Sequence, residues 1–164
     1  MVNLSARQLR QPGLAGMISG LLRTHGIAPE RLVLEVTGHT ILEAAGITTE
    51  TLHTLKATGV MLAIDDFGVD ASALSLVRRL PFDGLKVDRS FVREIAMDWP
   101  SLSIVRTFVS LAHDLGLRVT AEGIETTDEL GRLREMGCDY GQGYFLAPPL
   151  EPDEVPEYIR WVQR

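Results

Sequence analysis

The 164-residue chain carries one cysteine, Cys138, so it forms no internal disulfide and suits a reducing, cytoplasmic setting. It has no apolar run near the roughly eighteen residues that cross a bilayer, and no signal-peptide pattern opens it. No membrane contact is expected of this chain. Positive charge is also scarce: 16 Lys and Arg against 22 Asp and Glu leave a net charge of −6. That balance excludes the basic surface needed to grip long nucleic acid. It leaves room for a small anionic ligand, provided that metals or a few local cations neutralise it. The hydrophobic content of 45% is ordinary for a globular protein, and the length fits a single domain over residues 1–164.

What the chain does contain is one pattern, repeated. A short β-rich segment ends in polar residues, and an amphipathic stretch follows. Strands are predicted over Val2–Leu4, Leu32–Val36, Val60–Asp65, Gly84–Asp88, Arg118–Glu122 and Tyr140–Tyr144. Helices are predicted over Leu14–Thr24, Thr49–Lys56, Ser101–Leu115, Thr127–Met136 and Pro152–Val162, with Pro152 near the first turn of the last. Glycines 26, 59, 116 and 137 fall just past helix ends. Such alternation means parallel βαβ units in a sheet covered on both faces. An open doubly wound sheet and a (β/α)8 barrel both satisfy it. No Gly-rich phosphate loop follows the first strand, which weighs against the open sheet. Asn3, Glu35, Asp65, Asp66, Lys86, Asp88, Glu122 and Gln142 all fall at or near the carboxyl ends of strands. A barrel gathers those ends at one mouth, where active sites sit. The expected fold is therefore α/β, an incomplete TIM-type (β/α) barrel with about six of the eight units.

The sharpest chemical signal is "MLAIDDFG", Met61–Gly68, an apolar strand that closes on two adjacent carboxylates. Neighbouring strand residues point to opposite sides, so both reach one site only where the strand ends and the backbone bends. Phe67 and Gly68 are the expected source of that bend. Two like charges so close raise each other's pKa unless a cation intervenes. With Glu35, Asn3 and Glu122 added, the donors are all oxygen, which favours Mg2+ or Mn2+ over zinc. Two such ions would activate a water and clamp a phosphate, with Lys86 as a further cation. The plainer reading, a helix cap or an ion-pair partner, is as good for Asp88 and better for Asp83 and Glu94. It is weak for the Asp65–Asp66 doublet.

Six segments together resemble an EAL domain, the family of cyclic di-GMP phosphodiesterases: "VNLSARQL" at 2–9, "LEVT" at 34–37, "IDDFG" at 64–68, "LPFDGLKVDRSFV" at 80–92, "VTAEGIET" at 119–126 and "GCDYGQGYFLAPPL" at 137–150. The resemblance implies a (β/α)8 barrel that cleaves cyclic di-GMP to linear pGpG with Mg2+ or Mn2+. It implies that Asn3, Glu35, Asp65, Asp66 and Glu122 hold metal or metal-bound water, with Asp65 bridging two ions. Lys86 would contact water and phosphate, Gln142 would hold water or phosphate, Glu122 would serve as general base, and Glu125 would support the site from behind.

Three departures from the family pattern shape the functional expectation. The family starts two strands earlier, on the segment bearing the Glu-Ala-Leu signature, so the natural protein is expected to extend beyond Met1. Gly38 in "TGHT" stands where members with full activity carry glutamate, and His39 is read as a cap or surface residue. The loop after "DDFG" is "VDASA", Val69–Ala73, in place of Thr-Gly-Tyr-Ser-Ser. Weak or absent hydrolysis by this chain alone is expected. The alternatives are a non-catalytic cyclic di-GMP receptor and a protein-interaction module. Open strand edges predict a homo-oligomer, or a partner chain that supplies the missing strands.

Overall fold

The computed structural model describes residues 1–43, 48–69 and 73–162. Within them the strands β1 (Val2–Asn3), β2 (Val33–Thr37), β3 (Met61–Phe67), β4 (Gly84–Val87), β5 (Arg118–Ala121) and β6 (Tyr140–Gly141) form one parallel sheet, hydrogen-bonded in chain order. A doubly wound sheet reverses its strand order at a switch point; here it never reverses. The sheet is a six-stranded arc of a TIM-type (β/α) barrel. The connecting helices are α1 (Ala6–Leu9), α2 (Leu14–Thr24), α3 (Gly38–Glu43), α4 (Thr48–Ala57), α5 (Ala73–Val77), α6 (Arg89–Val92), α7 (Trp99–Asp114), α8 (Thr127–Glu135) and α9 (Val155–Val162). Among the described residues, no helix is long and apolar enough to cross a membrane.

Local chemistry accounts for these elements. Thr126 and Glu129 form a capping box that starts α8, and Asp98 caps α7 with Pro100 in its first turn. Glycines 26, 59, 116 and 137 adopt positive φ of 62°, 93°, 73° and 79°, turning each chain segment into its next element. Two expectations need correction. The last helix begins at Val155, not Pro152, because Glu151–Glu154 make a separate turn closed by the Glu154 N–H on the Glu151 carbonyl. The strand expected over Tyr140–Tyr144 pairs only at Tyr140 and Gly141. Beyond them the Ile124 backbone takes over, donating to Gln142 O and accepting from Phe145 N.

Alternate strand residues face the helices and form the core: Leu34, Val36, Leu62, Ile64, Leu85, Val87, Val119 and Ala121, each no more than 2% exposed. Each of the leucines, valines and isoleucine among them contributes about 1.5–3 kcal/mol by leaving water. The residues between them turn to the concave face. There a cavity of about 510 Å³ is lined by Met61, Ala63, Gly84, Thr120, Tyr140 and Gln142 among others.

That alternation breaks once. Ile64 pairs with Leu85 and Phe67 pairs with Val87, so three steps along β3 match two along β4. The extra residue is a bulge. It sends Phe67 to the helix side, 3% exposed, and leaves both Asp65 and Asp66 opposite Lys86. The bend begins at Asp66 itself, with a left-handed φ of 54°, rather than at Phe67 and Gly68 as the sequence suggested. Aspartate is among the few non-glycine side chains that visit this region.

Candidate metal centre

Each acidic residue reaches the mouth from a different strand. Glu35 lies on β2, in register with Asn3 of β1 on one side and Ala63 of β3 on the other. Asp65 pairs with Thr37, and Glu122 follows β5, its N–H bonded to the Val87 carbonyl at 3.1 Å. At the centre stands Lys86, buried, with Nζ 2.6 Å from Glu122 Oε1, 3.0 Å from Glu35 Oε1 and 3.2 Å from Asp65 Oδ1. An ammonium has three protons, and here three carboxylates surround it. This is the positive charge that makes the buried acids tolerable.

Two of these groups, Lys86 and Glu122, depart from their ordinary titration. Burial alone pulls the Lys86 ammonium down, but its contacts with Glu122 and Glu35 and the charge of Asp65 outweigh burial and hold it above the usual lysine range. Burial pushes the Glu122 carboxyl up; Lys86 pulls it back, while Asp65 and Glu35 reinforce the rise.

Carboxylate oxygens of Asp65, Asp66 and Glu122 lie within 4.8 Å of one another. Glu35 Oε1 is buried and has no aligned hydrogen-bond donor; its 3.0 Å approach to Lys86 is a contact between charges. An all-oxygen donor set, in which the buried Glu35 Oε1 is met only by the charge of Lys86, fits a hard divalent cation. Asn3 adjoins this set through its register with Glu35.

Other expected residues lie around this centre. Gln142 and Glu125 line a groove of about 530 Å³ that also includes Glu122, Arg89 and Tyr144. Glu125 is not among the carboxylates around Lys86: its side chain faces Arg93 at 3.7 Å, and its N–H donates to Glu129 Oε2 at 2.7 Å. Gln142 is seated by the close approach of its neighbour Gly143 to Ile124, where a Cβ would stand 2.1 Å from the Ile124 carbonyl oxygen. Asp88 caps α6 by accepting from Ser90. Asp83 binds Lys56 and the Leu62 N–H, and Glu94 accepts from Ser101. His39 is an exposed neighbour of Glu43. Within the loop at Val69–Ala73, residues 70–72 lie outside the described residues. Arg89, at the groove, and Thr120, buried beside Lys86 in register, were not picked out from sequence. Arg89 follows the strand-end "KVD", which was the available signal.

A barrel arc that presents clustered carboxylates and a buried lysine at its strand ends has the donors, in the place, that an oxygen-ligand metal site on a (β/α) scaffold needs. The EAL domain family profile matches residues 1–149, and the chain belongs to that family. It is 38% identical over 154 residues to MucR of Pseudomonas aeruginosa, a bifunctional diguanylate cyclase/cyclic di-GMP phosphodiesterase, covering 94% of this chain and 22% of MucR. The EAL domain of Mycobacterium smegmatis DcpA superposes with a TM-score of 0.89 at 37% identity, over 94% of this chain and 70% of that one. Klebsiella pneumoniae BlrP1, solved with manganese and cyclic di-GMP, gives 0.81 at 34% identity, over 87% of this chain and 36% of BlrP1; it has also been solved with calcium and cyclic di-GMP. The chain spans about a fifth of the length of the curated relatives it matches.

Proposed function

We infer that residues 1–164 act as a cytoplasmic EAL-type domain that hydrolyses cyclic di-GMP to linear pGpG, weakly in this chain alone. The observation that carries this reading is the convergence of Asp65, Asp66 and Glu122 beside Lys86 and Glu35. Asp65, Asp66 and Glu122 would hold Mg2+ or Mn2+, with Glu35 and Asn3 completing the set. When bound, the ions supply a nucleophilic water and neutralise the phosphodiester.

The chain's own groups do the rest. Water adds to phosphorus, the bond to the 3′ oxygen breaks, and that oxygen takes up a proton, leaving a 5′-phosphate. Glu122, whose proton affinity burial raises, accepts the proton of the attacking water. Lys86 stays charged throughout and faces the developing negative charge. Gln142, from the adjoining groove, orients water or phosphate, and Glu125 braces the loop that carries Glu122.

Binding without turnover is the second reading, and one observation favours it: Lys86 Nζ is held by three carboxylates at 2.6–3.2 Å, so part of the charge that would hold catalytic ions is already offset by a fixed side chain. Incubating the purified chain with cyclic di-GMP and Mn2+, and following pGpG by chromatography, separates the two. Turnover supports hydrolysis; calorimetric binding without product supports the receptor; neither signal leaves the interaction module. Among the described residues, β1 and β6 each have one hydrogen-bonded neighbour, and an assembly of copies through these edges is expected. A monomer in light scattering refutes that part.

A further inference from the structure

Behind the acidic doublet stands an aromatic cluster that the proposed chemistry does not use. Phe67 meets Phe108 of α7 edge-on, with ring centroids 5.1 Å apart and planes at 81°. Phe108 in turn meets Phe91 of α6 at 5.5 Å and 79°. Both contacts have the edge-to-face geometry that aromatic rings favour. Gly68 lies against the same two rings: a Cβ there would stand 2.7 Å from Cε2 of Phe91 and 2.7 Å from Cε2 of Phe108. The turn that ends β3 has no slack on this side.

The consequence reaches Asp66. A left-handed backbone at a non-glycine residue persists only where its surroundings over-determine it. Here the extra residue of the bulge is held from two ends. Ile64 is fixed by its pairing with Leu85, and Phe67 by its pairing with Val87 and its burial against Phe108. Were Phe67 to return to simple alternation, it would enter the concave face and Asp66 would leave it. We propose that Phe108 is a positioning residue: by clamping Phe67 and Gly68 it locks the bulge that keeps Asp66 beside Asp65 and Glu122. The proposal rests on the metal reading above for its purpose, and on the ring geometry alone for its mechanism.

The test uses the whole chain with Phe108→Leu and, as a control elsewhere in the core, Leu22→Ala. Amide hydrogen exchange is measured without metal, and Mn2+ is then titrated. In Phe108→Leu the amides of Phe67, Gly68 and Val69 should exchange faster by about tenfold, those of Leu62 and Leu85 should not, and Mn2+ should bind about tenfold more weakly, the scale of losing a group that orients a ligand. Leu22→Ala should lower Tm and move neither. Unchanged exchange at residues 67–69, or acceleration spread evenly over the sheet, overturns the clamp. Should Phe108→Leu fail to fold, Phe91→Leu removes the neighbouring ring and is read at the same amides. If the wild type takes up no Mn2+, the metal reading falls, while the exchange pattern still decides the clamp.

Discussion

Asp65 and Asp66, adjacent in the chain, stand opposite the same residue of the next strand, Lys86, because β3 carries one residue more than β4 between their two flanking pairings. A cost of charge is thereby turned into a binding arrangement. Lys86 holds Asp65 directly, and Asp66 comes within ion-sharing reach of Asp65 and Glu122.

Removing the cation tests how much rests on it. Lys86→Met leaves Glu35 buried with its charge unmatched, which should cost about 3–5 kcal/mol of stability. Divalent metal should restore part of that loss. The Tm rise on adding Mn2+ should therefore be larger in Lys86→Met than in the wild type, while turnover is abolished. Equal rises would mean that lysine and metal do not share these carboxylates.

Asp66→Asn separates charge from backbone. Asparagine also tolerates the left-handed region, so the bulge should survive and stability should stay within about 1 kcal/mol. Mn2+ affinity should fall by about tenfold or more. Paired calorimetric melts and Mn2+ titrations check this. A large loss of stability in Asp66→Asn would show that the carboxylate, not the turn, is what the fold needs.

The pH dependence follows from Glu122, whose carboxyl is raised by burial. In the absence of metal, the folded chain holds this proton more tightly than the unfolded chain does. Its contribution to stability is thus complete below the unfolded value, and is lost as pH rises through the higher folded value. Metal requires the ionised form, so Mn2+ affinity should climb over that same window, above the ordinary glutamate value of about 4.3, and then level off. Titrations at a series of pH values, with proton release measured in two buffers, decide it. Affinity independent of pH there would remove Glu122 from the ligand set.

Gly143→Ala puts a methyl 2.1 Å from the Ile124 carbonyl oxygen and 2.3 Å from its nitrogen, so the loop must move. A cost of about 1–3 kcal/mol is expected. The hydrogen bonds from Ile124 N to Gln142 O and from Phe145 N to Ile124 O would be lost with it. If Gln142 acts through this seat, adding Gln142→Ala to Gly143→Ala should lower turnover no further.

Much of the architecture was legible. The apolar runs at β2 and β3 are long enough to announce strands, and α2 shows a full amphipathic period, so its predicted limits match those found, Leu14–Thr24. Helices α1, α3, α5 and α6 have only four to six residues, too few to display a period, so their ranges went unread; only cap candidates at Asp88 and His39 marked two of them. Clustering at the strand ends was readable because a barrel has only one mouth. The bulge was not. Alternation is a pattern of long range, and a single inserted residue leaves no mark on composition. That Asp66 joins Asp65 at the mouth depends on that insertion, and that Lys86 touches three carboxylates depends on the registers between neighbouring strands, none of which a linear string displays.

The division of the sheet into a packed face and a concave face has an evolutionary corollary. Leucine and valine on the packed side form the core that holds the scaffold together. Across the concave face the charges are interdependent, so deleting one strands the others, whereas exchanging lysine and acids together for neutral side chains leaves no orphan. Lineages that abandon the chemistry should therefore lose these residues as a block, and chains with a half-dismantled set should be rare or short-lived.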